Sequence, residues 1–232
     1  MGILLRLNKF APLYKPPANS VLWMPGLGDP KGVTLRDRSG YGNHGTIVGA
    51  TWSSVNGLPV LSHDGTDDYI TVTNPSFSAL TSGAIEIWTS PGVGHDLITI
   101  GDKDTTLQNV MYFQINTGGT SELNMVKGGV TSYRLTWTGD LADKWQHYLL
   151  ASDGSTITLK RNNVAVSLTA ATGANNGDWF GDLTGADNFT IGAELRSNNP
   201  VNDFTGLTWG CCVSSSASYA GRYAETRRYL GV

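Results

Sequence analysis

Apolar and polar residues alternate in short runs along most of the chain. Runs at 68–72, 84–88, 96–100, 110–115, 132–137, 146–151, 156–160, 164–168 and 189–191 set β-branched and aromatic residues against polar ones. This is the period-2 pattern of half-buried strands. Turn formers separate the runs. Asp64-Gly65-Thr66, Thr117-Gly118-Gly119, Lys127-Gly128-Gly129, Asp153-Gly154-Ser155 and Arg161-Asn162-Asn163 accept positive φ or form Asx turns. Many short strands at close spacing predict an all-β sandwich or barrel. One helix is predicted over 218–230, where Tyr219, Tyr223 and Leu230 recur at helical spacing. Ser218 would cap its start, Arg227 and Arg228 lie in its last turn, and Gly231 follows it.

Composition narrows the possibilities. The 232 residues carry a net charge of −3, and only 15% are charged, against about 25% in an average soluble domain. Seven Trp, nine Tyr and six Phe argue against a disordered chain. The small basic clusters Arg36/Arg38 and Arg227/Arg228 argue against nucleic-acid binding. No run approaches the roughly 20 apolar residues of a membrane helix. Cys211 and Cys212 are neighbours, so on a strand they point to opposite faces and do not bridge.

Residues 1–19 read differently from 20–232, and the chain is divided there into an arm and one domain. The arm carries Arg6, Lys9 and Lys15 with no acid, the apolar Leu4, Leu5, Leu7, Phe10 and Tyr14, and then Pro16-Pro17. A Pro pair favours extended chain. The cations interrupt the apolar run of a secretion signal, and Arg6 stands where a myristoylation motif wants Ser or Thr. Two readings are open: a first strand packed on the sandwich, or an arm that docks on a partner subunit through those eight side chains.

At Asp37-Arg-Ser-Gly-Tyr-Gly-Asn-His-Gly-Thr46 a pattern emerges that continues through the chain. Val21-Leu22-Trp23, the stretch 37–52, GLPVLSHDGTDDYITV at 57–72, AIEIW at 84–88, KWQHYLLASDGSTITLKRNNVAV at 144–166, FTIGAE at 189–194 and FTGLTWGCCV at 204–213 follow in order. Together they resemble the LamG-like (laminin G type 3) domains of the concanavalin A-like lectin/glucanase superfamily. The resemblance covers about 210 residues, ending on the predicted helix. It implies an antiparallel two-sheet jelly roll with one concave sheet face and ligand sites on rim loops. His63 departs from it, standing where the family usually has Phe. So does Leu207–Val213, which lacks the family's acidic residue.

Candidate chemistry is sparse. Glycoside hydrolysis needs paired carboxyl groups, and none of Glu86, Glu122, Glu194 and Glu225 stands in the E-x-D-x-x-E pattern of the fold's glucanases. No nucleophile motif accompanies His44, His63, His95 or His147, so no catalytic residue is assigned. Calcium takes six to eight oxygens. Asp64, Asp67 and Asp68 with Asp37 and Asn43 could supply several as a structural site, or could serve only as turn and cap acids; no metal ligand is assigned. Glycan binding needs exposed aromatic platforms. Trp179 and Phe180, set between Gly177-Asp178 and Gly181-Asp182, are the leading pair, followed by Trp137 and Tyr133. The other reading of Trp179-Phe180 is a plug beneath a long loop.

Two functions stay open. The first is a non-enzymatic structural protein of a virus particle, such as a phage capsid decoration or tail-associated protein, anchored by its arm to capsid or tail subunits. The second is a lectin-like module that binds surface glycans. Neither requires a cofactor, nucleic acid or membrane insertion.

Overall fold

The computed structural model describes residues 10–29, 31–92, 94–105 and 108–232. Two short helices, α1 (Ala11–Tyr14) and α2 (Tyr223–Leu230), bracket nineteen described strands. In chain order these are β1 (Ser20–Met24), β2 (Thr34–Leu35), β3 (Gly45–Val48), β4 (Thr51–Val55), β5 (Leu58–Asp64), β6 (Tyr69–Thr73), β7 (Gly83–Pro91), β8 (Asp96–Gly101), β9 (Val110–Gln114) and β10 (Thr120–Lys127). There follow β11 (Val130–Thr138), β12 (Gln146–Ser152), β13 (Ile157–Arg161), β14 (Val164–Val166), β15 (Thr169–Gly173), β16 (Asn188–Ile191), β17 (Glu194–Arg196), β18 (Asn199–Val201) and β19 (Thr205–Ser214).

They build two antiparallel sheets and a small hairpin. The first sheet runs β14-β13-β12-β7-β19-β5-β4, with β1 also paired to β19. The second runs β15-β11-β10-β9-β8-β16-β6-β3-β2, and β17 pairs with β18. The alternation predicted a sandwich or barrel; the structure is a two-sheet antiparallel sandwich, the jelly-roll architecture that the resemblance implied. Ile85, Ile87, Tyr148, Leu150 and Val213 from the first sheet meet Ile100, Phe113, Leu123, Leu135 and Phe189 from the second. Burying such side chains in full stabilises by about 1.5–3 kcal/mol each.

The central strands of the first sheet are covered on both faces, while β4, β13 and β14 at its edges keep exposed positions. β7 and β12 are buried almost throughout. Trp23, Trp88, Trp209 and Cys212 point away from the inter-sheet core into a second apolar layer, which Phe10, Leu13, Tyr229 and Leu230 complete. The cysteines therefore face opposite sides, Cys211 inward and Cys212 outward. Burial, then the Glu86 charge, pushes both thiols up.

Residues 10–14 and the C-terminal helix build that outer layer. The Trp23 indole donates to the Leu13 carbonyl at 2.9 Å, and Arg222 donates to the carbonyls of Pro12 and Lys15 at 3.0 and 3.2 Å. Phe10 packs on Tyr229 with ring centroids 5.4 Å apart. Of the arm residues singled out above, Leu4, Leu5, Arg6, Leu7 and Lys9 lie outside the described residues. Phe10 is buried, Tyr14 half-buried and Lys15 exposed. The described part of the arm thus begins with a helical turn fastened to the sandwich. Phe10 and Leu13 find apolar partners there, so this part is neither wholly extended nor free.

At the C-terminus the helix is shorter than the periodicity predicted. It starts at Tyr223, not near Ser218. Gly221 stands at φ 72°, and the Arg222 backbone N–H donates to the Glu86 carboxylate at 2.5 Å. The same carboxylate accepts His147 Nε2 at 2.6 Å and the Tyr219 hydroxyl. A side chain at 221 would press on His147 and Glu86 at 3.3–3.4 Å. Past the helix, Gly231 takes the left-handed cap with its N–H on the Arg227 carbonyl.

His63 has a structural role. It is 2% exposed, with Nδ1 3.1 Å from the Asp68 carbonyl and Nε2 3.0 Å from Thr208 Oγ1. A carbonyl only accepts, so Nδ1 carries the proton and Nε2 accepts from the threonine. Gly192 (φ 100°) closes over the ring, where a Cβ would lie 2.6 Å from Nδ1. Burial lowers the imidazole pKa from the ordinary 6.5 to about 4.

Two predictions follow from these packings. Leu13→Ala will cost about 2–5 kcal/mol in urea unfolding; a loss under about 1 kcal/mol would mean a loosely attached segment. Because the folded-state pKa of His63 is depressed, its contribution is present above the unfolded value and lost as pH falls from about 6.5 to about 4, by about 3 kcal/mol. Stability measured against pH will show this slope in the native chain but not in His63→Phe.

Candidate functional site

The four aromatic platforms expected from the sequence are interior residues. Trp179 and Phe180 are fully buried and stacked at 4.6 Å, and Phe180 leans on Phe77. They form the plug under the loop. Tyr133 is fully buried and donates to the Asp178 carbonyl. Trp137 is 4% exposed, stacks on Phe113 at 5.3 Å and donates its indole N–H to Asp140 at 2.8 Å. Tyr133 and Trp137 sit at the inward positions of β11, so the pleat turns them toward the core.

The outward positions of the same strands carry the polar face. Register sets Tyr112, Asn124, Arg134 and Thr172 side by side across β9, β10, β11 and β15. Gln114, Glu122 and Thr136 form the adjacent row. Tyr112 donates its hydroxyl to Glu122 Oε1 at 3.1 Å and accepts Asn124 Nδ2 at 2.8 Å. Arg134 Nε donates to Glu122 Oε2 at 2.7 Å. The other Asn124 amide atom, Oδ1, is buried with no protein partner. Arg134 is exposed and Tyr112, Gln114 and Thr136 are half-buried, so the group is open to a ligand. Burial, then the Glu122 charge, pushes the Tyr112 phenol up, leaving it a neutral donor.

One flank of this face is closed by the β17–β18 hairpin. Arg196 grips Glu194 with two parallel bonds of 2.8 and 2.7 Å and lies near Asp96 and Tyr112. Asp96 is fully buried, with one carboxylate oxygen accepting Asn202 at 3.1 Å and Glu194 close by. Burial, then the Glu194 charge, holds its carboxyl well above the usual range. Farther along, Thr99 and Thr190 also face outward but are covered, both donating to the Ala193 carbonyl. The accessible row therefore runs over the four strands from Tyr112 to Thr172, three spacings or about 14 Å.

The oxygen-rich set considered for calcium divides in two. Asp64, Asp67 and Asp68 bring carboxylate oxygens within 4.8 Å of one another. Asp37 is occupied elsewhere, accepting the backbone N–H groups of Trp23, Ser39 and Asn43. Asn43 clamps Val21 and Ser76. Two of the three also serve the turn: Asp68 accepts the Asp64 N–H at 2.7 Å and Asp64 accepts the Thr66 N–H at 2.8 Å. Burial, opposed by a backbone hydrogen bond and reinforced by Asp64 and Asp67, raises the Asp68 pKa.

No protein-family model and no curated protein sequence matches the chain. Solved structures do match in fold. Domain 4 of AbnA, a GH43 extracellular arabinanase from Geobacillus stearothermophilus in complex with arabinotriose, aligns with a TM-score of 0.63 and 15% identity, over 89% of this chain and 97% of that one. The CBM40 of the Ruminococcus gnavus IT-sialidase bound to α2,3-sialyllactose aligns with a TM-score of 0.55 and 16% identity, over 76% and 92%. The leech intramolecular trans-sialidase aligns with a TM-score of 0.52 and 20% identity, over 67% of this chain but 24% of the enzyme. The chain thus has the β-sandwich fold found in carbohydrate-binding modules.

Proposed function

We propose that this protein is a non-enzymatic carbohydrate-binding module whose ligand lies on the outer face of the second sheet. The observation that carries the reading is the group Tyr112, Glu122, Asn124 and Arg134, held in register on three adjacent strands, in which the exposed Arg134 and half-buried Tyr112 stand over the more buried Glu122 and Asn124. It offers a phenol edge, a carboxylate, an amide and a guanidinium on a preformed surface, the donors and acceptors that sugar hydroxyls need. Two similar structures hold oligosaccharides, which supports this reading over the particle-decoration one; capsid or tail partners have no observation behind them. The acids of the face suit binding better than hydrolysis. Asp96 lies fully buried, and Glu122 is tied to Arg134 and Tyr112. On the ordered motifs from Val21 to Val213 alone, we read the module as LamG-like.

The test is a glycan array probed with the intact chain, followed by titration of the ligands found. Tyr112→Ala and Arg134→Ala will each weaken binding roughly tenfold or more while leaving the melting temperature within a few degrees of the native chain. Retained affinity in both variants would move the site elsewhere. Trp179→Ala, by contrast, will lower stability by about 3–5 kcal/mol because the indole is core.

A further inference from the structure

We infer that the polar face selects neutral oligosaccharides and discriminates against acidic ones; this rests on the carbohydrate-binding reading above. The inference comes from how each cation on this side of the molecule is already engaged. Arg134 is bound to Glu122 at 2.5 Å, and Glu122 is the more buried partner, 9% against 46% by side chain. Arg196 is bound to Glu194 at 2.7 Å, again with the acid buried, 2% against 32%. Nearby, Lys103 is bound to Asp187 at 2.5 Å, and Lys127 is bound to Asp178. Both arginines of the face therefore arrive with their charge answered from beneath.

Asp96 adds a further carboxyl, fully buried beside Glu194. Two guanidiniums therefore meet two carboxylates, with a third carboxyl group behind them, and the face offers no unanswered positive charge. A ligand carboxylate approaching Arg134 would find Glu122 already on the guanidinium and would be repelled by it. A hydroxyl meets no such conflict. It can donate to Glu122 and accept from an N–H of Arg134 not spent on the ion pair, because a carboxylate has about four acceptor sites and a guanidinium five donors. The open row from Tyr112 to Thr172, about 14 Å long, gives room for a short oligosaccharide lying across the strands.

The experiment compares arabinotriose, lactose and α2,3-sialyllactose on the intact chain and on Glu122→Gln, with the melting temperature of each recorded. The native chain is expected to bind at least one neutral sugar, to bind sialyllactose no better than lactose, and to change affinity less than about twofold between roughly 50 and 500 mM salt. Glu122→Gln leaves Arg134 unanswered, so the ratio of sialyllactose to lactose affinity is expected to rise about fivefold or more. Tighter binding of sialyllactose by the native chain, about tenfold with strong salt dependence, would overturn the neutral-ligand inference and leave the carbohydrate-binding reading standing. An unchanged ratio in a folded Glu122→Gln would also overturn the inference. Failure of the native chain to bind any of the three, or any glycan on the array, would overturn both.

Discussion

The centre of the first sheet must be dry on both sides, and much of the rest follows from that. Its central strand β7 alternates Ile85 and Ile87 toward the sandwich core with Glu86 and Trp88 on the other face. Water cannot be left on a surface that holds Trp23, Trp88 and Trp209, so the fold needs a third layer. The chain supplies it from residues 10–14 and the C-terminal segment, and Glu86 ties that segment down through the Tyr219 hydroxyl and the Arg222 N–H while also accepting His147 of β12. A buried carboxylate is tolerable only when it is hydrogen-bonded this fully. With the centre of the first sheet covered, the outer side of the second sheet presents the broader row of polar strand positions.

That division explains the character of the two outer faces. One is aromatic and covered. The other is built from threonine, tyrosine, asparagine and charged pairs. Its acids are anchored low, its arginines reach outward, and the β17–β18 hairpin walls one flank. The cross-strand register does the positioning, so the arrangement exists before any ligand arrives and little ordering is left for binding to accomplish.

The alternating strands were legible in the sequence because polar and apolar residues take turns along them, even in β7 and β12, where both faces are buried. The runs at 84–88, 132–137 and 146–151 lie wholly in observed strands, and that at 110–115 overruns β9 by one residue. β10 was missed for a physical reason. Six of its eight residues are buried, including the outward Glu122 and Asn124, so neither composition nor alternation marks it plainly. The polar site hid for the same reason. Tyr112 was read only as a strand residue and Glu122 only as an acid lacking a hydrolase motif. A usable signal was present: Tyr112/Gln114, Glu122/Asn124 and Arg134/Thr136 are polar pairs at alternate positions of three successive runs. Aromaticity misled in the opposite direction. Trp179, Phe180, Trp137 and Tyr133 looked like platforms because large rings near glycines and polar residues suggest exposure. In a many-stranded sandwich those rings fill the ends of the core.

The placement of residues 10–14 and the C-terminal helix in one layer has a consequence for presentation. Phe10 and Tyr229 touch on the outside of the first sheet, with the whole thickness of the sandwich between them and the polar rows. A tether attached after Val232, whether to another domain, a bead or a sensor surface, leaves from that outer layer and keeps clear of those rows. Copies immobilised this way present parallel faces, so a clustered glycan coat would be gripped through avidity even where each single contact is weak.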